Sequence, residues 1–201
     1  MSKLLYIKAN AKPKANSRTF KVSDSFIESY KESHPDDTII TLDLYEENIN
    51  LLSEDDINNI FGPKTAESRN HPILKYAYQF SEVDKIVIAE PMWNLSIPAI
   101  LKAYIDYICV TGITFKYTEE GPVGLCTGKK AINISSRGGD YSNKPFSEYE
   151  MGDRYLRTIF GFLGITDFTT IAIDGLDVIG NDVDRVLEDA IKDAHEMARN
   201  F

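Results

Sequence analysis

The chain has 201 residues, 43% of them hydrophobic and 26% charged, with a formal net charge of −9. That length suits one domain that folds without a disulfide or metal. The acidity argues against nucleic acid or an anionic membrane surface as partner, since both select lysine and arginine. Cys109 and Cys126 form no CxxC pair and have no histidine near them in sequence, which argues against metal or dithiol chemistry. No apolar run approaches the roughly 18 residues of a membrane span. The opening segment, Met1 to Lys8, is too short and too charged for a secretory leader, so the cytoplasm is the expected compartment.

Short apolar runs alternate with amphipathic stretches, without repeat or linker, so residues 1–201 read as a single domain. Leu4 to Ile7 is a first strand. Ser17 to Lys31 is a helix with Phe20, Ser23, Ile27 and Tyr30 on one face. Thr38 to Leu42 is a second strand. The polar stretch from Tyr45 to Pro63 is ambiguous, and Thr65 to Phe80 reads as helical. Lys85 to Ala89 is almost wholly apolar, as a central parallel strand buried on both faces should be, with Pro91 stopping it. Ile97, Ile100, Leu101, Tyr104, Ile105 and Ile108 follow helical spacing. Thr114 to Leu125 holds a Glu120-Gly121-Pro122 turn and reads as a hairpin-like excursion. Lys130 to Ile134 is a fourth strand, Tyr149 to Leu163 a helix capped by Gly164, and Phe168 to Ile173 a fifth strand. The last helix carries Val183, Val186, Leu187, Ala190, Ile191, Ala194 and Met197 on one stripe, with Asn181 or Asp182 as its cap.

Five strands alternating with helices imply an α/β three-layer sandwich, a parallel sheet with helices on both faces. Five fit the flavodoxin-like order 2-1-3-4-5, in which ligands sit at the carboxyl ends of the strands. Three loops fall there. Ala9 to Thr19 leads into a helix N-terminus, where free N–H groups favour an anion. Ser17 and Thr19 add hydroxyls and Arg18 adds charge, although Ser17 equally suits a plain helix cap. No G-x-G-x-x-G or G-K-[ST] is present. Pro91 to Pro98 puts the chain's single tryptophan, Trp93, at this edge, able to flank a flat ring or to serve the core. Asn94 beside it offers a donor and an acceptor. Ser135 to Ser142 contains Gly138-Gly139, which lets backbone approach a ligand closely or merely flex. One phosphate-like and two ring-like loops together suit a mononucleotide with a large ring, such as FMN.

Several segments resemble the FMN-dependent NADH-azoreductases, also described as NADH:quinone oxidoreductases. They are Pro91-Met92-Trp93-Asn94-Leu95, the run from Gly112 to Pro122, Ser136-Arg137-Gly138-Gly139, and Phe160-Gly161-Phe162-Leu163-Gly164. The resemblance runs the full length. It implies a flavodoxin-like fold in which Ser17, Arg18 and Thr19 hold the FMN phosphate. Met92, Trp93, Asn94 and Leu95 would line the ring from one side, and Ser136, Arg137, Gly138 and Gly139 from the other. It implies a homodimer whose sites borrow from the partner, with Tyr117 and Phe162 walling the substrate cleft. Many relatives carry Ser-Ser where this chain has Ala9 and Asn10, so Asn10 departs from the pattern while keeping a donor for the phosphate.

The activity implied is two-electron, ping-pong reduction of quinones and reductive cleavage of aromatic azo compounds with NADH as donor. The cofactor would carry the chemistry, so no side chain is assigned as catalytic, and His34, His71 and His195 have ordinary structural readings. A flavodoxin-type electron carrier is the alternative. An acyl-carrier-protein phosphodiesterase-like hydrolase is a weaker one, because the chain has no G-x-S-x-G elbow.

Overall fold

The computed structural model describes residues 1–201. In chain order the elements are β1 (Lys3–Lys8), α1 (Arg18–Ser33), β2 (Thr38–Asp43), α2 (Glu54–Phe61), α3 (Leu74–Glu82), β3 (Lys85–Pro91) and α4 (Ala99–Ile108). A hairpin of β4 (Phe115–Thr118) and β5 (Gly121–Gly124) follows, then β6 (Lys130–Ser136), α5 (Gly152–Phe162), β7 (Asp167–Ile173) and α6 (Val183–Asn200). The five long strands form one parallel sheet in the order β2-β1-β3-β6-β7, which is the expected flavodoxin-like order with the hairpin set apart. No helix is long and apolar enough to cross a membrane.

The strand pleat sends alternate residues to opposite faces. Leu5, Ile7, Ile86 and Ile88 face a layer of α3, α4 and α5, where Phe80, Leu101, Tyr104, Leu156 and Phe160 pack. Leu4, Tyr6, Val87 and Ala89 face α1 and α6, against Phe20, Phe26, Tyr30, Leu187 and Ala194. The caps are local and legible. The Ser17 side chain accepts from the Phe20 N–H, and the Asp182 side chain accepts from the Arg185 N–H. Gly164 ends α5 at φ 96°, with the Ile165 N–H reaching back to the Phe160 carbonyl at 2.9 Å, a Schellman closure.

Four boundaries differ from expectation. The ambiguous polar stretch holds α2, started by a Ser53–Asp56 capping box and burying only Ile60. The helix expected over Thr65 to Phe80 is two pieces, a 3-10 turn at Ala66–Asn70 and then α3. Pro72 falls between them, and it disfavours helical backbone at the residue before it. The helix expected from Tyr149 begins at Gly152, after a separate 3-10 turn at Phe146–Tyr149. Pro91 does not stop β3. It pairs with Ser136 as the strand's last residue, beyond the end of β1, whose last partner on this side is Ala89. No neighbour there asks for the N–H that proline lacks.

The hairpin runs back along the helical layer. The Cys126 N–H donates to the Leu163 carbonyl at 2.9 Å, and Gly124 lies so close to the α5 terminus that a Cβ would sit 2.2 Å from Gly164 N and from Leu163 C. Phe115 is the hub of an aromatic cluster, 5.5 Å from the Tyr117 ring and 4.9 Å from the Phe162 ring between centroids.

Candidate functional site

The loops following β1, β3 and β6 converge on one crevice of about 140 Å³. Of the expected residues, Asn10, Arg18, Thr19, Met92, Trp93, Ser136, Arg137 and Gly138 line it. Ser17 lies beneath, 3% exposed, with its hydroxyl accepting from Asn10 Nδ2 at 2.9 Å and from the Phe20 N–H at 3.0 Å. Asn10 therefore braces the first loop, and its Oδ1 accepts from the Lys12 N–H at 3.1 Å. The Thr19 and Ser136 hydroxyls meet at 2.6 Å, tying the α1 N-terminus to the end of β6. The first N–H groups of α1, at Arg18 and Thr19, have no partner inside the helix and sit where its dipole is positive. Ser17→Ala is expected to lower stability by about 1 kcal/mol through the lost cap, a fall of about 2–4 °C in melting temperature for a domain of this size, measured by thermal denaturation.

Asn94 and Leu95 stand at the rim rather than on the floor. Both have left-handed backbone, φ 49° and φ 68°, and the N–H and carbonyl groups of Trp93 and Ser96 bond in both directions at 2.9 and 3.1 Å. This is a two-residue turn of the type that asks for positive φ twice. Leucine in that conformation is strained, and such strain gathers where a site needs a particular shape. The turn leaves Trp93 and Leu95 each 38% exposed above the crevice.

The third loop is held from behind. The Arg137 N–H donates to the Ile173 carbonyl, and the N–H groups of Leu176, Asp177 and Gly175 donate to the carbonyls of Arg137, Gly138 and Gly139. A Cβ at Gly138 would lie 2.7 Å from Asp177 Oδ2, so a larger residue there would displace the carboxylate that bonds Arg18. Gly139 sits behind this seam rather than in the crevice lining. The Arg137 side chain is 4% exposed and lies 3.7 Å from both Glu150 and Asp174. Its guanidinium is thus committed to carboxylates beneath the loop.

Three participants were missed in the sequence reading. The loop after β7 brings Leu176 and Asp177 into the lining. Arg18 bonds to both, at 2.8 Å to the Leu176 carbonyl and 2.8 Å to Asp177 Oδ1. The signal was present, since the same carboxyl-end rule reaches a fifth loop. The other is Glu90, a charged residue inside the most apolar strand, 1% exposed. Burial pushes its carboxyl up to about 7, against the pull of Ser135, Asn133 and Arg137. Cys109 and Cys126 are free, and burial raises them to about 12 and about 11, so neither supplies a thiolate at neutral pH.

Tyr117 and Phe162 come together, but away from this crevice. The start of α5 touches the site, with the Met151 N–H donating to the Leu95 carbonyl at 3.0 Å. Phe162 is ten residues beyond Gly152, the first residue of the helix, about 15 Å at 1.5 Å per residue. The aromatic cluster thus belongs to the opposite edge of the sheet.

Fold and crevice define a flavodoxin-like protein, and the family model described as flavodoxin-like fold matches residues 2–198. The chain is 68% identical to the FMN-dependent NADH:quinone oxidoreductase 2 of Clostridium acetobutylicum over all of both chains. Among solved structures it resembles an azoreductase from Bacillus anthracis str. Sterne at 39% identity and TM-score 0.90, covering 100% of each. It also resembles an FMN-dependent NADH-azoreductase from Bacillus anthracis str. Ames Ancestor, solved in complex with FMN, at 32% identity and TM-score 0.88, covering 100% of this chain and 99% of that one. The chain belongs to the FMN-dependent NADH:quinone oxidoreductase family.

Proposed function

We propose that residues 1–201 act as one FMN-binding domain that takes electrons from NADH and delivers them to quinones and aromatic azo compounds. The carrying observation is the crevice itself. The paired hydroxyls of Thr19, buried, and Ser136, half-buried, meet free helix N–H groups and a tryptophan rim at the sheet's carboxyl edge, where this fold class places ligands. These donors fit a phosphate at one end and a flat apolar ring at the other. The names of the relatives at 68% and 62% identity support the activity.

Ser17, Arg18, Thr19 and Asn10 would hold the phosphate, the first through the loop it braces and the next two through backbone N–H groups. Met92 to Leu95 would present backbone and apolar surface to the ring. Gly138 and Gly139 would supply N–H groups to its polar edge, with Ser136 beside them at the crevice wall and Arg137 anchoring that loop from below. When bound, FMN supplies the two-electron chemistry linking NADH to the acceptor. The rigid seam between the loops after β6 and β7 keeps the N–H donors aimed without reorganisation.

The crevice is smaller than the 300–1,000 Å³ or so typical of ligand pockets, so its outer wall must come from elsewhere. We infer that a second copy supplies it, with the partner's hairpin and α5 terminus carrying Tyr117 and Phe162 across a homodimer interface. The exposure of Tyr117, 64%, and of Met151, 46%, supports that covering. The NADH donor and the two free thiols favour the cytoplasm as its place of work.

The test is spectroscopic. Purified protein given FMN should retain a yellow chromophore through gel filtration, elute as a dimer, and bleach with NADH under nitrogen. Added quinone should restore the colour at a rate matching turnover. Protein that retains no FMN, or retains it without bleaching, sinks the reading.

A further inference from the structure

Glu90 is the next-to-last residue of β3 and lies on the α4–α5 side of the sheet, in line with Ile86 and Ile88 and beside Asn133 and Ser135 of β6. It does not stand alone. Asn133 Nδ2 lies 3.4 Å from its Oε1, the Ser135 hydroxyl faces it, and Arg137 and Glu150 act on it by charge. Arg137 in turn lies between Glu150 and Asp174. Glu90 Oε2, Asn133 Oδ1, Arg137 Nε and Asp174 Oδ1 are all buried without a hydrogen-bond partner. Three carboxyl groups thus share one buried guanidinium, with Glu90 fully buried and Glu150 and Asp174 mostly so. Such an arrangement is unfavourable when all three are ionised, and neutralising the most buried of them is the cheapest relief.

The position of this cluster gives it a role. Ser135 faces Glu90, and the next residue, Ser136, lines the crevice and bonds Thr19 at 2.6 Å. Arg137 borders both the crevice and the cluster. Negative charge arriving against Thr19 and Ser136 therefore acts on Glu90 through low-dielectric protein rather than water. We propose that Glu90 is the proton-accepting residue beneath the crevice, and that filling the crevice with a phosphorylated anion drives a proton from solvent onto its carboxyl. The step is a simple protonation: a carboxylate oxygen takes the proton and no other bond changes. It rests on the reading of the crevice as an FMN site.

Glu90 faces Asn133 and Ser135 from β6, Arg137 from the loop after β6 and Glu150 from the start of α5, with Asp174 reaching it through Arg137. None of the others is as buried as Glu90 among the carboxylates. A like charge brought against the Thr19–Ser136 pair is expected to favour the protonated carboxyl by on the order of tenfold. Around neutral pH that amounts to about half a proton per bound anion.

The experiment is calorimetric titration of the dimer with FMN in buffers of differing ionisation enthalpy, across about pH 6.5 to 9.5. Wild-type protein is expected to take up about half a proton more than Glu90→Gln near pH 7.5, with the difference gone at the alkaline end. Glu90→Asp, which keeps a carboxyl, should retain uptake. The phosphate's own ionisation is common to all three proteins and cancels. Equal proton numbers in wild type and Glu90→Gln would overturn the proposal. If Glu90→Gln does not fold, infrared difference spectra of the wild type decide: a protonated-carboxyl C=O band should appear on FMN addition, and its absence overturns the assignment. Failure of the wild type to bind FMN at all overturns the underlying reading instead, and is visible in the same titration as missing heat.

Discussion

Gly124→Ala should unseat the β4–β5 hairpin from the end of α5, at a cost of about 3 kcal/mol. The added Cβ would stand 2.2 Å from Gly164 N and Leu163 C and 2.4 Å from the Leu163 carbonyl oxygen. All three are backbone atoms that cannot rotate away. Gly164 itself holds φ 96° in the closure that ends α5, so the helix cannot retreat without losing its own cap. The hairpin must move, breaking the Cys126-to-Leu163 bond and separating Phe115 from Phe162. Two neighbouring substitutions isolate this contact. Gly161→Ala sits in the last turn of α5 with nothing within 4 Å of the new Cβ, and should stabilise by up to about 1 kcal/mol through helix propensity. Gly121→Ala meets no neighbour either but stands at φ 120°, so it should cost only backbone strain, about 1–3 kcal/mol. Urea denaturation ranks the three. Proteolysis at Lys116 and Lys129 in the native state reports whether the hairpin has come loose. A Gly124→Ala protein as stable and as protease-resistant as wild type would refute the close packing.

That hairpin also marks where sequence reading reaches its limit. The excursion itself was legible from Glu120-Gly121-Pro122, and the aromatics within it drew notice through family resemblance. Its address was not, because nothing local to residues 114–125 says that α4 carries the chain to the far edge of the sheet before the hairpin forms. The three binding loops were legible for the opposite reason. Strand polarity and the carboxyl-edge rule place them whatever the intervening lengths. The same rule covers the loop after β7, yet Leu176 and Asp177 carry no Gly pair or lone aromatic to draw attention, and their contact with Arg18 spans about 160 residues. The left-handed pair Asn94-Leu95 was hidden by its composition, since leucine is a poor advertisement for positive φ. α2 was hidden by polarity: one buried residue, Ile60, leaves no stripe for periodicity to find, although Ser53 and Asp56 announce its start.

Glu90 was passed over because a strand reading ends at the first charged residue, and here the strand continues through it. Glu90→Gln should remove most of a pH dependence that wild-type stability shows between about pH 4.5 and 7. The sign follows from the direction of the shift. Burial raises the folded-state carboxyl from 4.5 to about 7, so between those values the folded protein keeps a proton that the unfolded chain has released. Stability from this residue is complete below the unfolded value and is lost as pH climbs through the folded one, levelling off above it. At about 1.4 kcal/mol per unit, the loss amounts to about 3 kcal/mol. Glutamine has nearly the same shape and never ionises. Its protein should match wild type near pH 5 and exceed it by up to that amount near pH 8. Titrating groups remote from Glu90 contribute equally to both proteins and drop out of the difference. Urea denaturation of the two apoproteins at half-unit steps gives the difference curve directly. A flat curve would mean that Glu90 is ionised in the folded state throughout, with Arg137 neutralising it more fully than its commitments to Glu150 and Asp174 allow. A curve rising with pH means that the interior around Asn133 holds a neutral acid beneath the crevice.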